Sequence, residues 1–124
     1  YSGDALMLRE RNPNIAFVVP AEGSNLWVDH LAVLRNAPNK VLARQFIDFL
    51  NEPRNAARLA QYVHYATPNL SAKKLLPAEM LADPVVYPPQ AVLQRSEMHV
   101  LPSPRAASRR NALFARLHAG GSTP

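Results

Sequence analysis

Apolar positions along the chain follow three successive patterns. Ile15 to Val19 is an unbroken, largely β-branched run closed by Pro20, the mark of a short buried strand. After the loop Ala21-Glu22-Gly23-Ser24-Asn25, residues 26–34 read as a second strand. From residue 39 the spacing becomes helical. Asn39 stands as an N-cap, and Leu42, Phe46, Phe49 and Leu50 follow on one face of a helix over 40–50. Pro53, at the tolerated first position, opens another helix, with Ala56, Leu59, Ala60 and Val63 as its apolar stripe. Tyr65-Ala-Thr-Pro-Asn69 is a loop. Prolines 77, 84, 88 and 89 then break residues 70–98 into short helical turns. Ser103-Pro104 opens a last helix lined by Ala106, Leu113, Phe114 and Leu117, with Gly120-Gly121 as its stop. Ahead of all this, residues 1–4 are turn-like, 5–11 suit a short helix or strand, and Asn12-Pro13-Asn14 is a break.

Two strands and several helices make the chain α/β and helix-rich. Two strands are too few for a free-standing sheet, so further sequence or a second copy is expected to supply the rest. The same shortage predicts an exposed apolar surface on residues 27–34 or on the helix at 40–50, covered by another copy of the chain or left as a patch.

The 124 residues are 48% hydrophobic and 19% charged, the composition of a globular chain and not of a disordered one. No apolar run approaches the roughly 20 residues of a membrane-spanning helix. Tyr1 follows no basic-then-apolar lead, as in a processed chain or an excised piece. There is no cysteine, which excludes thiolate chemistry and disulfides. A net charge of +5 with a pI near 10.1 admits an anionic partner such as nucleic acid. A solvated basic face is the plainer reading. Only Arg105, Arg109, Arg110 and Arg116 gather, and no aromatic residues interleave with them as a single-strand-binding groove requires.

Candidate chemistry centres on Trp27 and Asp29. On a strand, residues two apart share a face, so an indole and a carboxylate would stand side by side. That pair suits an alkylammonium, whose stem packs on the ring and whose N–H groups reach the acid. The alternative is a core tryptophan beside a surface aspartate. Tyr65 sits just past a helix, and Tyr1 with Asp4 repeats the aromatic-plus-acid pairing. Enzyme chemistry finds no foothold. Asp29 and His30 are adjacent and point apart, and His30, His64, His99 and His118 lack metal-ligand spacing. Hydrolase, phosphate-loop and zinc-protease motifs are missing, and no cofactor or metal is called for.

Tyr1-Ser-Gly-Asp4, Pro20-Ala-Glu-Gly23 with Trp27-Val-Asp29, Asn51-Glu-Pro53, Tyr65-Ala-Thr-Pro-Asn69 and Tyr87-Pro-Pro89 occur in one order. That series resembles the C-terminal portion of the periplasmic putrescine/spermidine-binding proteins of ABC uptake systems. The resemblance implies part of a two-lobed, type II-like α/β clamp that is not an enzyme. Residues 1–28 and 71–124 would belong to one lobe and 29–70 to the other. It implies a polyamine ligand, a permease partner for the full-length protein, a periplasmic location and no nucleic acid. Trp27, Asp29 and Tyr65 would meet at the mouth of a cleft, with Tyr1, Asp4 and His99 on the facing wall. By resemblance Tyr1 stands where the family usually has a stacking tryptophan, Asp4 is an amine-binding acid, and His99 replaces the glutamine of spermidine-type members. The positive net charge would oppose a dication only at long range, because salt screens it beyond about 10 Å. A basic interaction domain using the last helix is the alternative from another class.

Overall fold

The computed structural model describes residues 1–120. Its elements in chain order are α1 (Ser2–Arg11), β1 (Asn25–Leu26), α2 (Lys40–Asn51), α3 (Pro53–Val63), α4 (Leu70–Lys73), α5 (Ala78–Ala82), α6 (Gln90–Leu93), β2 (Glu97–Met98) and α7 (Pro104–Gly120). The chain is helix-rich with few strands, in line with the α/β reading. Gly121, half of the stop expected for the last helix, lies outside the described residues.

The helices start where their caps allow. Asn39 accepts a hydrogen bond from the Leu42 amide at 3.0 Å, satisfying one of the free N–H groups of the first turn of α2. Pro53 occupies the first turn of α3, and His64 ends that helix in the left-handed region at φ 55°. The first four residues form no separate turn. Tyr1 is the N-cap residue of α1, its carbonyl accepting from the Ala5 amide at 3.0 Å. Asp4 therefore sits in a helical first turn, where the axial dipole favours a carboxylate.

α2, α3 and α4 pack in succession. The apolar cluster at their centre is built from Ala56, Ala57 and Ala60 of α3 with Ala72 and Leu76, flanked by Met80, Leu81 and Tyr87. Small side chains let α3 and α4 approach closely. Two details differ from the spacing argument. Ala57 is buried where Leu59 was expected, and Leu59 is exposed. On α2, Ala43, Ile47 and Leu50 are half-buried, while Leu42, Phe46 and Phe49 face outward. The helix is apolar on more than one face, and its larger side chains are on the uncovered one.

The strand expectations are corrected. Residues 15–19 form no ladder, although Ile15, Phe17 and Val19 are half-buried and Ala16 and Val18 exposed, the alternation a strand would give. Residues 27–34 are neither strand nor helix. β1 stops at Leu26 and pairs in parallel with β2, Asn25 opposite Glu97 and Leu26 opposite Met98. Among the described residues no neighbouring strand exists to hydrogen-bond the two runs, and an isolated run does not hold a strand by itself.

The loop before β1 is fixed to β2 by backbone geometry. Gly23 has φ 108° and lies so close to the Arg95 carbonyl that any Cβ would collide with it. The Ser24 amide donates to Ser96 Oγ at 3.0 Å, and that hydroxyl donates to the Val92 carbonyl at 2.9 Å. These contacts fix the register that carries Asn25, Trp27 and His99 to one place.

Candidate functional site

An open cleft of about 530 Å³ is lined by Tyr1, Asn25, Trp27, Val28, Asp29, Tyr65 and His99. Four segments supply it. The N-terminus of α1 brings Tyr1, the stretch running on from β1 brings Asn25 to Asp29, and the loop after α3 brings Tyr65. His99 follows β2. Each is held by contacts outside the cleft. α1 is seated by Leu6, which is 4% exposed, by Arg9 paired with Asp83 at 3.3 Å, and by Glu10 near His64 Nε2 at 3.4 Å.

Gly3 is the closest of these contacts. A Cβ there would lie 2.7 Å from the Tyr65 ring and would collide with the Val63 carbonyl. The glycine thus lets α1 lie directly on Tyr65. Beside it the three aromatic rings form a bent row. Tyr1 and Trp27 meet edge-on with centroids 4.9 Å apart, and Trp27 meets Tyr65 at 6.2 Å and 77°. Such edge-to-face contacts are favoured by the ring quadrupoles.

Burial raises the Tyr65 phenol above its ordinary pKa of 10.0, and the negative charges of Asp4 and Asp29 add to the rise, while a backbone hydrogen bond at Gly3 opposes it. The hydroxyl therefore stays protonated and can donate. Both acids act on this one group, so Tyr65 stands within the field of two carboxylates. Opposite, Asn25 Nδ2 and His99 Nδ1 are 3.0 Å apart.

Five of the six residues singled out in the sequence line this cleft; Asp4 does not, and faces it only through its charge on Tyr65. Trp27 and Asp29 reach the same cleft without the strand from which their shared face was argued. Asn25 and Val28 were missed. Asn25 was detectable, because stepping back two residues along the run Asp29, Trp27, Asn25 keeps to one face. Arrays of rings and acids of this kind can hold an organic cation, with methylenes on the rings and N–H groups on the carboxylates. Among the described residues no group of acids and histidines is placed to hold a metal.

Comparison with known proteins gives a consistent result. Residues 1–88 match the bacterial extracellular solute-binding protein family. The spermidine/putrescine-binding periplasmic protein of Escherichia coli is 38% identical over 97 residues, which are 78% of this chain and 28% of that protein. The norspermidine sensor of Vibrio cholerae is 41% identical over 92 residues, 73% of this chain and 26% of that protein. A solved spermidine/putrescine ABC transporter chain from Listeria monocytogenes superposes with a TM-score of 0.79 at 39% identity, over 93% of this chain and 36% of that one. The spermidine/putrescine ABC transporter substrate-binding protein of Streptococcus pneumoniae gives 0.81 at 36% identity, over 95% and 36%. The chain thus spans well under half the length of the relatives it matches.

Proposed function

The chain belongs to the bacterial extracellular solute-binding protein family, and on that premise we propose that it forms part of the ligand cleft of a polyamine-capturing subunit of an ABC uptake system. Tyr1, Asp4, Trp27, Asp29, Tyr65 and His99 are its ligand-binding residues. The observation that carries this reading is the convergence of three aromatic rings and Asp29 on one cleft, with the charge of Asp4 acting on Tyr65 beside it. A polyamine needs aromatic faces for its methylenes and a carboxylate near each charged end. Asp29 takes one ammonium and Trp27 packs on the stem, while Asp4, which does not line the cleft, attracts the other end through its charge. The names of the relatives support the ligand class, a periplasmic site of action and a place in an ABC transporter. They favour transport over both an enzyme and the anionic-partner reading.

The same reading places residues 1–28 and 71–124 in one lobe and 29–70 in the other, with the ligand between the lobes. The crossing at position 70 then falls inside the apolar cluster, because Ala72 and Leu76 pack on Ala56, Ala57 and Ala60. The outward face of α2 is the surface through which copies of the chain would associate.

Titration calorimetry with putrescine on the full-length natural protein tests the reading. Asp29→Asn removes a charged partner of the ligand, worth about 1.5–3 kcal/mol, so affinity should fall roughly ten- to a hundred-fold. Trp27→Ala should cost about the same through lost stacking and cation–π contact. Unchanged affinity in Asp29→Asn would remove that residue from the site, and a wild-type protein indifferent to every polyamine would remove the reading.

A further inference from the structure

Among the described residues His64 is the one residue other than glycine with a positive φ, at 55°. It ends α3 in the left-handed region. That place at a helix end suits glycine, because any Cβ there crowds its own backbone. The turn itself serves the cleft, since it leads the chain out of α3 so that the Tyr65 ring lies against Gly3. A glycine at position 64 would make the same turn without the steric cost. The turn alone therefore does not account for a histidine, and an unfavourable backbone beside a binding cleft directs attention to its side chain. His64 does not line the cleft, and the ligand scheme above gives it no task.

What a glycine would lack is the contact with α1. His64 Nε2 lies 3.4 Å from Glu10 Oε1. Gly3, Leu6 and Glu10 recur at helical spacing on one face of α1, with Leu6 buried between the other two. Three consecutive residues grip that face at both ends: Gly3 lies on Val63 and Tyr65, and Glu10 meets His64. The same helix brings Tyr1 to the cleft. We infer that His64 is a positioning residue: by tying Glu10 to the end of α3 it holds α1 on the Tyr65 loop and keeps Tyr1 and Tyr65 together in the binding cleft. Only molecules with α1 so seated present both rings, and apparent affinity scales with their fraction. The two side chains are 27% and 66% exposed, so the tie changes that fraction by a few-fold and not more. The inference rests on the polyamine reading and adds to it a residue outside the cleft.

Denaturant unfolding and calorimetry with putrescine, both on the full-length natural protein, test it together through three substitutions at one position. His64→Gly relieves the backbone and removes the tie. His64→Ala keeps the unfavourable backbone and removes the tie. His64→Lys keeps the unfavourable backbone and returns a cation long enough to reach Glu10. Stability should be higher in His64→Gly than in His64→Ala. Putrescine affinity should nevertheless fall about three- to fivefold in both, the upper range for an exposed pair, and should recover to within about twofold of the parent in His64→Lys. Glu10→Ala should show the same loss, and combining it with His64→Gly should add nothing further. A merely structural role makes affinity follow stability, with His64→Gly binding best. That order, no recovery in His64→Lys, or losses from Glu10→Ala and His64→Gly that add in the double variant would overturn the inference and leave the polyamine reading standing. A wild-type protein indifferent to every polyamine would overturn both.

Discussion

Tyr65 lies between a glycine and two carboxylates, and its chemistry follows from that placement. Gly3 gives the ring its seat, while burial and the charges of Asp4 and Asp29 keep the phenol protonated past its ordinary pKa of 10.0. A group with a raised folded-state pKa contributes stability that is fully present below the unfolded value and is lost as pH rises through the folded one. Ultraviolet titration of the phenolates should therefore contain a component above the ordinary tyrosine range that is absent from Tyr65→Phe. The same variant should lose less stability than the parent on the alkaline side of pH 10. Persistence of the late component in Tyr65→Phe would show that another group produces it. The residue types of this site were legible in the sequence, because a ring beside an acid is a chemical pattern that needs no fold. Asp4 was misread in its setting, since nothing in Tyr-Ser-Gly-Asp marks a helix start until Tyr1 is seen to cap it.

Three of the short segments that carried the family resemblance explain each other at the level of elements. Asn69 accepts from the amides of Ser71 and Ala72 at 3.0 Å each, capping α4, and its own amide nitrogen donates to the Asn51 carbonyl at 2.8 Å. One side chain thus joins the end of α2 to the start of α4. Two residues earlier, the Thr67 amide donates to the Tyr87 hydroxyl at 3.3 Å, and Lys73 covers the Tyr87 ring at 4.5 Å. The loop that presents Tyr65 is held from both sides. Asn69→Ala removes a cap worth about 1 kcal/mol and a bridging hydrogen bond of about the same size. Asn39→Ala removes a single cap bond of α2. Denaturant unfolding should therefore show a loss of about 2 kcal/mol for Asn69→Ala and about half of that for Asn39→Ala; equal losses would mean that the bridge to Asn51 contributes nothing. The helices at 40–51 and 53–63 were legible because a period of 3.6 and a cap are local properties. The strands were not, because a strand exists only through its neighbour. The β-branched run at 15–19 keeps the alternation and lacks the ladder, whereas Asn25–Leu26, with no strand-like composition, has a partner in Glu97–Met98.

On the scale of the whole molecule, the small core and the outward apolar faces are one fact. The buried cluster is mostly alanine, and Leu42, Phe46 and Phe49 on α2 are 59%, 57% and 54% exposed. Leu113, Phe114 and Leu117 repeat this on α7 at 58%, 63% and 76%. Contiguous apolar faces are uncommon on monomers, and this chain spans only 28% of the Escherichia coli relative. Produced as these 124 residues, the chain should associate with itself through α2, because Phe46 and Phe49 expose two large rings one helical turn apart and no charge lies between them except Asp48. Replacing both by glutamate should convert the sedimenting species to monomer while the helical circular dichroism stays as it was, since neither ring belongs to the buried cluster. In a longer protein carrying this sequence, the outcome depends on what covers α2. If other parts of the fold do, the same pair of substitutions should destabilise that protein by several kcal/mol, as buried charges without partners do. A 124-residue chain that sediments as a monomer at every concentration, and a longer protein indifferent to both glutamates, would together mean that the α2 face is covered by nothing.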